Sequence, residues 1–257
     1  MTIHYNNILQ KQSLAVRTNV LPEVKKVINT IEPDFDSVEK YKTNIVEWLK
    51  PVVDLTDFHV YPMNGITEGL NWWYYQDNRS VYMDEGDYQW IQSRGNMYDN
   101  CIKYVSVPSA IHGNFTTIPE NTPTAVDLAY VGSTKIKKIN LPKNVEYVFY
   151  SFSKPFGIRN VRTGWIFTKQ KDSKLDALIH SAKYYNYFAN SVSEAIIKNF
   201  DVDFIYNSLY NKQKTICEEL DIVPSDSVWL ATSTREEYQK FRRSGDTARL
   251  CLAGIYN

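Results

Sequence analysis

The chain of 257 residues is poor in the side chains that build metal centres and crosslinks, with three cysteines and four histidines. Cys101, Cys217 and Cys251 are widely spaced and form no C-x-x-C pair, and the histidines show no ligand spacing, which argues against a structural metal. Two of the cysteines lie in apolar, strand-like runs, as reduced core thiols of a cytoplasmic protein do. Net charge is also missing: 29 Lys and Arg balance 29 Asp and Glu, with no basic patch and no acidic tail. Composition therefore gives no support for a nucleic-acid partner or a charged membrane surface. No apolar run approaches the roughly 20 residues of a membrane span, and residues 1–10 are too polar for a secretory signal. Internal repeats and low-complexity tracts are absent as well.

What remains is enough for one large core, or a large domain with a small appendage. Apolar spacing predicts helices over 21–31 and 37–49, and a third from Asn64 to about Gln76. Short apolar strands are expected at 81–83, 102–107, 125–128, 145–150 and 164–168. A long helical region should run from Asp172 or Ser173 to about Phe200, and a further helix to about Leu220. Residues 228–254 read as strand, short helix, strand. Strands alternating with helices or loops imply an α/β fold with a mainly parallel sheet, whose ligands bind at the carboxyl ends of the strands. The 19 tyrosines are read as compositional bias.

One segment carries chemistry most clearly: Ser151-Phe152-Ser153-Lys154, followed by Gly157, Arg162 and Gly164. A lysine at the end of an apolar strand, beside hydroxyls and an arginine, is placed for Schiff-base chemistry, because desolvation or a nearby cation activates its amine. The serine and the guanidinium fork suit an anion such as phosphate. Upstream, Asn64-Gly65-Ile66-Thr67-Glu68 opens the third helix. Gly65 permits a tight turn, and the N–H groups of Ile66 and Thr67 at the helix start form a second anion site. In Ala125-Val126-Asp127-Leu128-Ala129-Tyr130 a carboxylate ends an apolar strand, where its burial is costly without a cationic partner. Near the carboxyl terminus Arg249 leads another apolar strand. Arg242 and Arg243 read as a solvated helix end.

In this order the segments resemble the class I/II aminotransferases, the aspartate aminotransferase-like, fold-type-I enzymes that use pyridoxal 5'-phosphate (PLP). The matching patterns are S-x-S-K-x-x-G-x-x-x-x-R-x-G, N-G-x-T-E, D-x-A-Y and a C-terminal R-[LIV]-x-[LVI]. The resemblance implies a compact member, with a seven-stranded-type sheet in a large PLP-binding domain (51–195). Residues 1–50 and 196–257 would form a discontinuous small domain. It further implies that Lys154 carries PLP as an imine and moves the proton between Cα and the cofactor. Asp127 would pair with the pyridinium nitrogen, Tyr130 with the ring's phenolic oxygen, and Tyr88 would stack on the ring, with Trp90 as its nearby competitor. Gly65, Ile66, Thr67, Ser151, Ser153 and Arg162 would hold the phosphate, and Arg249 the substrate carboxylate. The expected reaction is amino transfer between an amino acid and a 2-oxo acid, in a homodimer. A PLP-dependent lyase, decarboxylase or racemase, or a non-catalytic relative of the same fold, is the alternative.

The sequence departs from the family where an asparagine normally binds the phenolic oxygen of PLP. Residues 107–114 retain Pro108 and Gly113, but Ala110 takes the asparagine's place, with Asn114 or His112 as substitutes from a shifted loop. The prolines that flank the family's stacking aromatic are also missing around Tyr88.

Overall fold

The computed structural model describes residues 20–34, 38–88, 90–91, 93 and 100–256. The first 19 residues and Ser37, where the second helix is expected to start, lie outside them. Helix α1 (Pro22–Ile28) begins on a proline, which loses nothing where the first N–H has no helical partner, and it buries Val24. Helix α2 (Val38–Leu49) buries Tyr41, Ile45, Trp48 and Leu49, one face at helical spacing. Strand β1 (His59–Pro62) leads into helix α3 (Ile66–Gln76). Strands β2 (Ser80–Tyr82), β3 (Cys101–Ser106), β4 (Thr124–Asp127), β5 (Val145–Tyr150) and β6 (Trp165–Thr168) follow. Each lies within a residue of its expected position.

These strands make one sheet of order β1-β6-β5-β4-β3-β2. Strands β2 to β5 run parallel, and β6 is antiparallel to both of its neighbours, so five strands share a direction and the sheet is mainly parallel. It has six strands among the described residues, where the resemblance implied a seven-stranded type. Both faces are covered. Along β5, Val148 and Tyr150 join one apolar cluster while Tyr147 and Phe149 pack on the other, the period-two alternation of a buried strand. Trp48 of α2 meets Phe152 edge-on at 5.0 Å, and Trp73 of α3 lies 5.9 Å from Phe149.

The expected long helix after β6 is interrupted. Helix α4 (Ser173–Asp176), capped by Asp172, passes into a π turn (Ala177–Ser181). Lys183 then takes a left-handed φ of 51°. Helix α5 (Tyr187–Asn199) restarts where the Asn186 side chain accepts from the Ala189 N–H at 3.0 Å. A side chain that satisfies an orphan N–H at a new helix start stabilises the break. Both α1 and α2 pack on α5, and the Trp48 indole donates to the Phe200 carbonyl at 2.8 Å.

Helix α6 (Phe204–Leu220) precedes a second, antiparallel sheet of order β7-β8-β10-β9. Its strands are β7 (Val223–Pro224), β8 (Leu230–Ser233), β9 (Arg242–Ser244) and β10 (Thr247–Cys251). A 3-10 turn (Glu236–Phe241) links β8 to β9, so Arg242 and Arg243 stand on a strand and not on the expected helix end. This sheet is fastened to the loops that follow β4 and β5. The Val228 N–H donates to the Ser133 carbonyl at 2.9 Å, the Ser133 and Ser227 hydroxyls meet at 2.9 Å, and the Trp229 indole donates to the Pro155 carbonyl at 3.1 Å. Those ties carry Arg249 of β10 over the carboxyl ends of the central strands.

Candidate active site

Strands β4 and β5 end side by side, and the loops beyond them open a cavity of about 260 Å³. Its wall contains Ile66, Thr67, Tyr88, Asp127, Tyr130, Ser151, Ser153, Lys154, Arg162 and Arg249. Ten of the eleven residues singled out in the sequence thus meet in one place. The eleventh, Gly65, stands directly behind the wall.

Gly65 caps α3 with φ 82°, a conformation open to glycine without steric cost. A Cβ there would lie 2.7 Å from Arg162 Nη2. Gly164 faces Gly65 from the other side, and a Cβ on it would lie 2.6 Å from the Gly65 backbone. Two glycines therefore let the chain cross itself beneath the helix start. Arg162 adopts φ 62°, rare for a side-chain-bearing residue, and donates to the Asn64 carbonyl at 3.1 Å. The first-turn N–H groups of α3, those of Ile66 and Thr67 among them, have no partner within the helix. The Ser153 hydroxyl is buried at the same wall without a partner. Ser151 is committed otherwise: its hydroxyl donates to the Thr163 carbonyl at 2.5 Å and accepts from the Ser153 N–H at 3.0 Å. Helix N–H groups, an orphan hydroxyl and a guanidinium around a cradle that a Cβ would fill make an anion site fitted to a phosphate. The interruption before α5 serves it as well, because Asn186 donates to the Asn64 side chain at 3.2 Å.

Asp127 is 2 % exposed. One carboxylate oxygen accepts from the Ala129 N–H at 2.8 Å and the other from the Tyr104 hydroxyl at 2.6 Å. Burial still pushes its carboxyl above the ordinary range, although Lys154, Tyr104 and Ala129 pull the other way. The charge is thus short of a counterion, and a protonated ring nitrogen would supply one. Lys154 Nζ lies 4.5 Å from the centre of the Tyr130 ring and 5.3 Å from that of Tyr88, within cation–π range of both. Burial raises the Tyr130 phenol, but Lys154, Arg249 and Arg243 together outweigh burial and hold it below its ordinary value. Arg249, 5 % exposed, donates through Nη1 to the Ala110 carbonyl and to the Tyr130 hydroxyl, the latter at 3.3 Å.

Three side chains of the site carry no expectation from the sequence. Arg159 and Arg243 line the cavity, and Arg243 is half-buried rather than solvated, which corrects its reading as a bland surface residue. Tyr104 lies beneath Asp127. Asp87, 5 % exposed, accepts from the Tyr88 N–H at 2.7 Å and the Ser106 hydroxyl at 2.5 Å and so fixes the loop that presents Tyr88. Burial raises its carboxyl too. Neither proposed substitute for the family's asparagine is at the cavity wall. The His112 ring accepts from the Asn114 N–H at 3.1 Å, and the Asn114 side chain accepts from the Asp226 N–H at 2.8 Å. Ala110 itself lines the cavity.

No protein-family model matches the sequence, and no curated protein matches it. Solved structures do. The PLP-bound C-S lyase of Staphylococcus hominis superposes with a TM-score of 0.69 over 97% of this chain and 89% of its own, at 13% identity. A PLP-dependent β-cystathionase of Corynebacterium diphtheriae gives 0.69 over 98% and 93%, at 12% identity. Histidinol-phosphate aminotransferase of Sinorhizobium meliloti, in complex with PLP, gives 0.65 over 100% and 92%, at 12% identity. The chain has the fold-type-I architecture of the PLP-dependent aminotransferases. At these identities the likeness establishes the fold. The same fold carries lyases among these neighbours, so the chemistry of this chain rests on its own cavity.

Proposed function

We propose that the chain is a PLP-dependent aminotransferase that moves an amino group between an amino acid and a 2-oxo acid. The observation that carries this reading is the cavity itself: Lys154 and a buried, under-compensated Asp127 face the same space as an anion cradle built on Gly65, Ile66, Thr67, Ser153 and Arg162. When bound, PLP supplies an electron sink for the pair released as a bond to the substrate Cα breaks. The cradle orients it by its phosphate. Asp127 holds the ring nitrogen protonated, and Tyr104 and the Ala129 N–H hold Asp127. The Tyr130 hydroxyl serves the phenolic oxygen, and Tyr88, fixed through Asp87, covers the ring. Lys154 Nζ attaches the cofactor and afterwards takes and returns the proton at Cα. Arg249 anchors the substrate α-carboxylate through its guanidinium fork.

We assign residues 51–195 to the large, cofactor-binding unit and 1–50 with 196–257 to the small one, in support of which Trp48 bonds to Phe200 across the two terminal segments. A homodimer accords with exposed Tyr75 and Tyr184, which border a groove of about 310 Å³ between α3 and the turn before α5. Sedimentation velocity of the PLP-loaded protein should show a dimer, and a monomer would contradict that assembly. Three free cysteines support a cytoplasmic setting, and no helix among the described residues is long and apolar enough to cross a membrane.

A lyase is the second reading, favoured by the C-S lyase and cystathionase likenesses and by Ala110 at the asparagine's place. Product analysis with an amino-acid panel separates the two. Transamination predicts a new amino acid only when a 2-oxo acid is added. Ammonia and a 2-oxo acid released without any added acceptor would favour the lyase.

A further inference from the structure

The cavity holds five cations, Lys154, Arg159, Arg162, Arg243 and Arg249, against the single carboxylate of Asp127. The proposed function uses three of them: Arg162 on the phosphate, Lys154 on the cofactor, Arg249 on the α-carboxylate. Arg243 and Arg159 are left over. Arg159 is exposed and costs nothing to leave in water, whereas Arg243 is half-buried. Its recorded partner is the Gly86 carbonyl at 3.4 Å, and no carboxylate among the described residues lies within 4 Å of it. Burial first, and then Arg249, push its guanidinium below the ordinary value. A desolvated cation beside another cation is retained at a cost unless an anion arrives to pair with it.

Backbone geometry shows how Arg243 reaches the cavity. Strands β9 and β10 pair Ser244 with Thr247, but the next pair is Arg242 with Ala248. The shift leaves Arg243 as one extra residue on β9, and such a bulge re-aims a side chain out of the regular alternation. Arg242 keeps the outward direction, is exposed and pairs with Asp246 at 3.4 Å. The bulge also presses the Arg243 backbone against the Tyr88 loop, where a Cβ on Gly86 would lie 2.5 Å from the Arg243 carbonyl oxygen. Arg243 therefore stands between the aromatic loop and Arg249, on the substrate side of the cavity.

We infer that Arg243 is a specificity residue for a second anionic group on the substrate, so that the preferred amino acid carries a distal carboxylate or phosphate besides its α-carboxylate. The inference rests on the aminotransferase reading of the same site. Absorbance titration of the PLP-loaded full chain tests it, with L-glutamate and O-phospho-L-serine as dianionic probes and L-glutamine and L-alanine as uncharged ones. The wild type should bind at least one dianionic probe about 30-fold or more tighter than the uncharged ones, the worth of a partly desolvated charge pair. Whichever dianion leads distinguishes carboxylate from phosphate. Arg243→Gln should erase the preference and leave alanine binding unchanged, while Arg242→Gln should keep it. Equal binding of all four probes by the wild type would overturn the inference. So would an Arg243→Gln variant that weakens all four alike, since Arg243 would then share the α-carboxylate with Arg249. If no amino acid alters the spectrum of the wild type, the aminotransferase reading falls together with it.

Discussion

Asp127 is held by two forces in opposition: burial favours its neutral form, while Tyr104, the Ala129 N–H and Lys154 favour the carboxylate. Burial wins, so the folded pKa lies above the ordinary 3.8. Linkage then has a definite sign. The carboxyl favours folding while it is protonated, below about 3.8, and that contribution is lost as pH rises through the folded pKa. In the absence of PLP, Asp127→Asn should therefore gain stability relative to wild type as pH rises from 3 toward 7. Turnover should move the other way, by about 3–4 kcal/mol of barrier, because a preorganised charge on the ring nitrogen is lost. Urea unfolding at two pH values and kcat of the PLP-loaded protein measure the two effects. Near-normal turnover in Asp127→Asn would remove this residue from the ring nitrogen. Asp127 was legible in the sequence because a carboxylate at the end of an apolar strand demands a partner. Tyr104 was not, because a tyrosine inside a strand reads as packing among 19 of its kind, and only the β3–β4 register brings its hydroxyl to Asp127.

At the scale of elements, the start of α3 and the segment before β6 form one device. Gly65 and Gly164 cross so closely that neither tolerates a side chain, and Arg162 accepts a left-handed backbone to close the cradle. Gly164→Ala should force the Gly65 backbone to move, costing about 1–3 kcal/mol of stability and weakening PLP binding by more than tenfold. Thermal unfolding and equilibrium dialysis against PLP check this. Unchanged PLP affinity would place the phosphate elsewhere. These glycines and the helix start were visible as a motif of local chain geometry. The interruption at 182–186 was not, because its cause is a cap on Asn186 that competes with an otherwise continuous helical pattern. Nor was the placement of Arg243, since a bulge is a relation between two strands and leaves no periodic trace in either. Sequence periodicity located the strands to within a residue; what it missed depends on register and on long-range contact.

For the whole molecule, the small sheet and the central sheet meet through loops, and the meeting closes the site. Ser133, Ser227, Trp229 and Pro155 bond the second sheet to the loops that carry Tyr130 and Lys154, so Arg249 and Arg243 arrive over the cavity as a consequence of fold assembly. The most direct test of the account concerns the lysine at its centre. The full chain is saturated with PLP, reduced with borohydride, digested and mapped by mass spectrometry. The account predicts one stoichiometric phosphopyridoxyl group, on Lys154, and its loss in Lys154→Ala with PLP still bound non-covalently. Label on any other lysine, or none in a PLP-saturated sample, would contradict it.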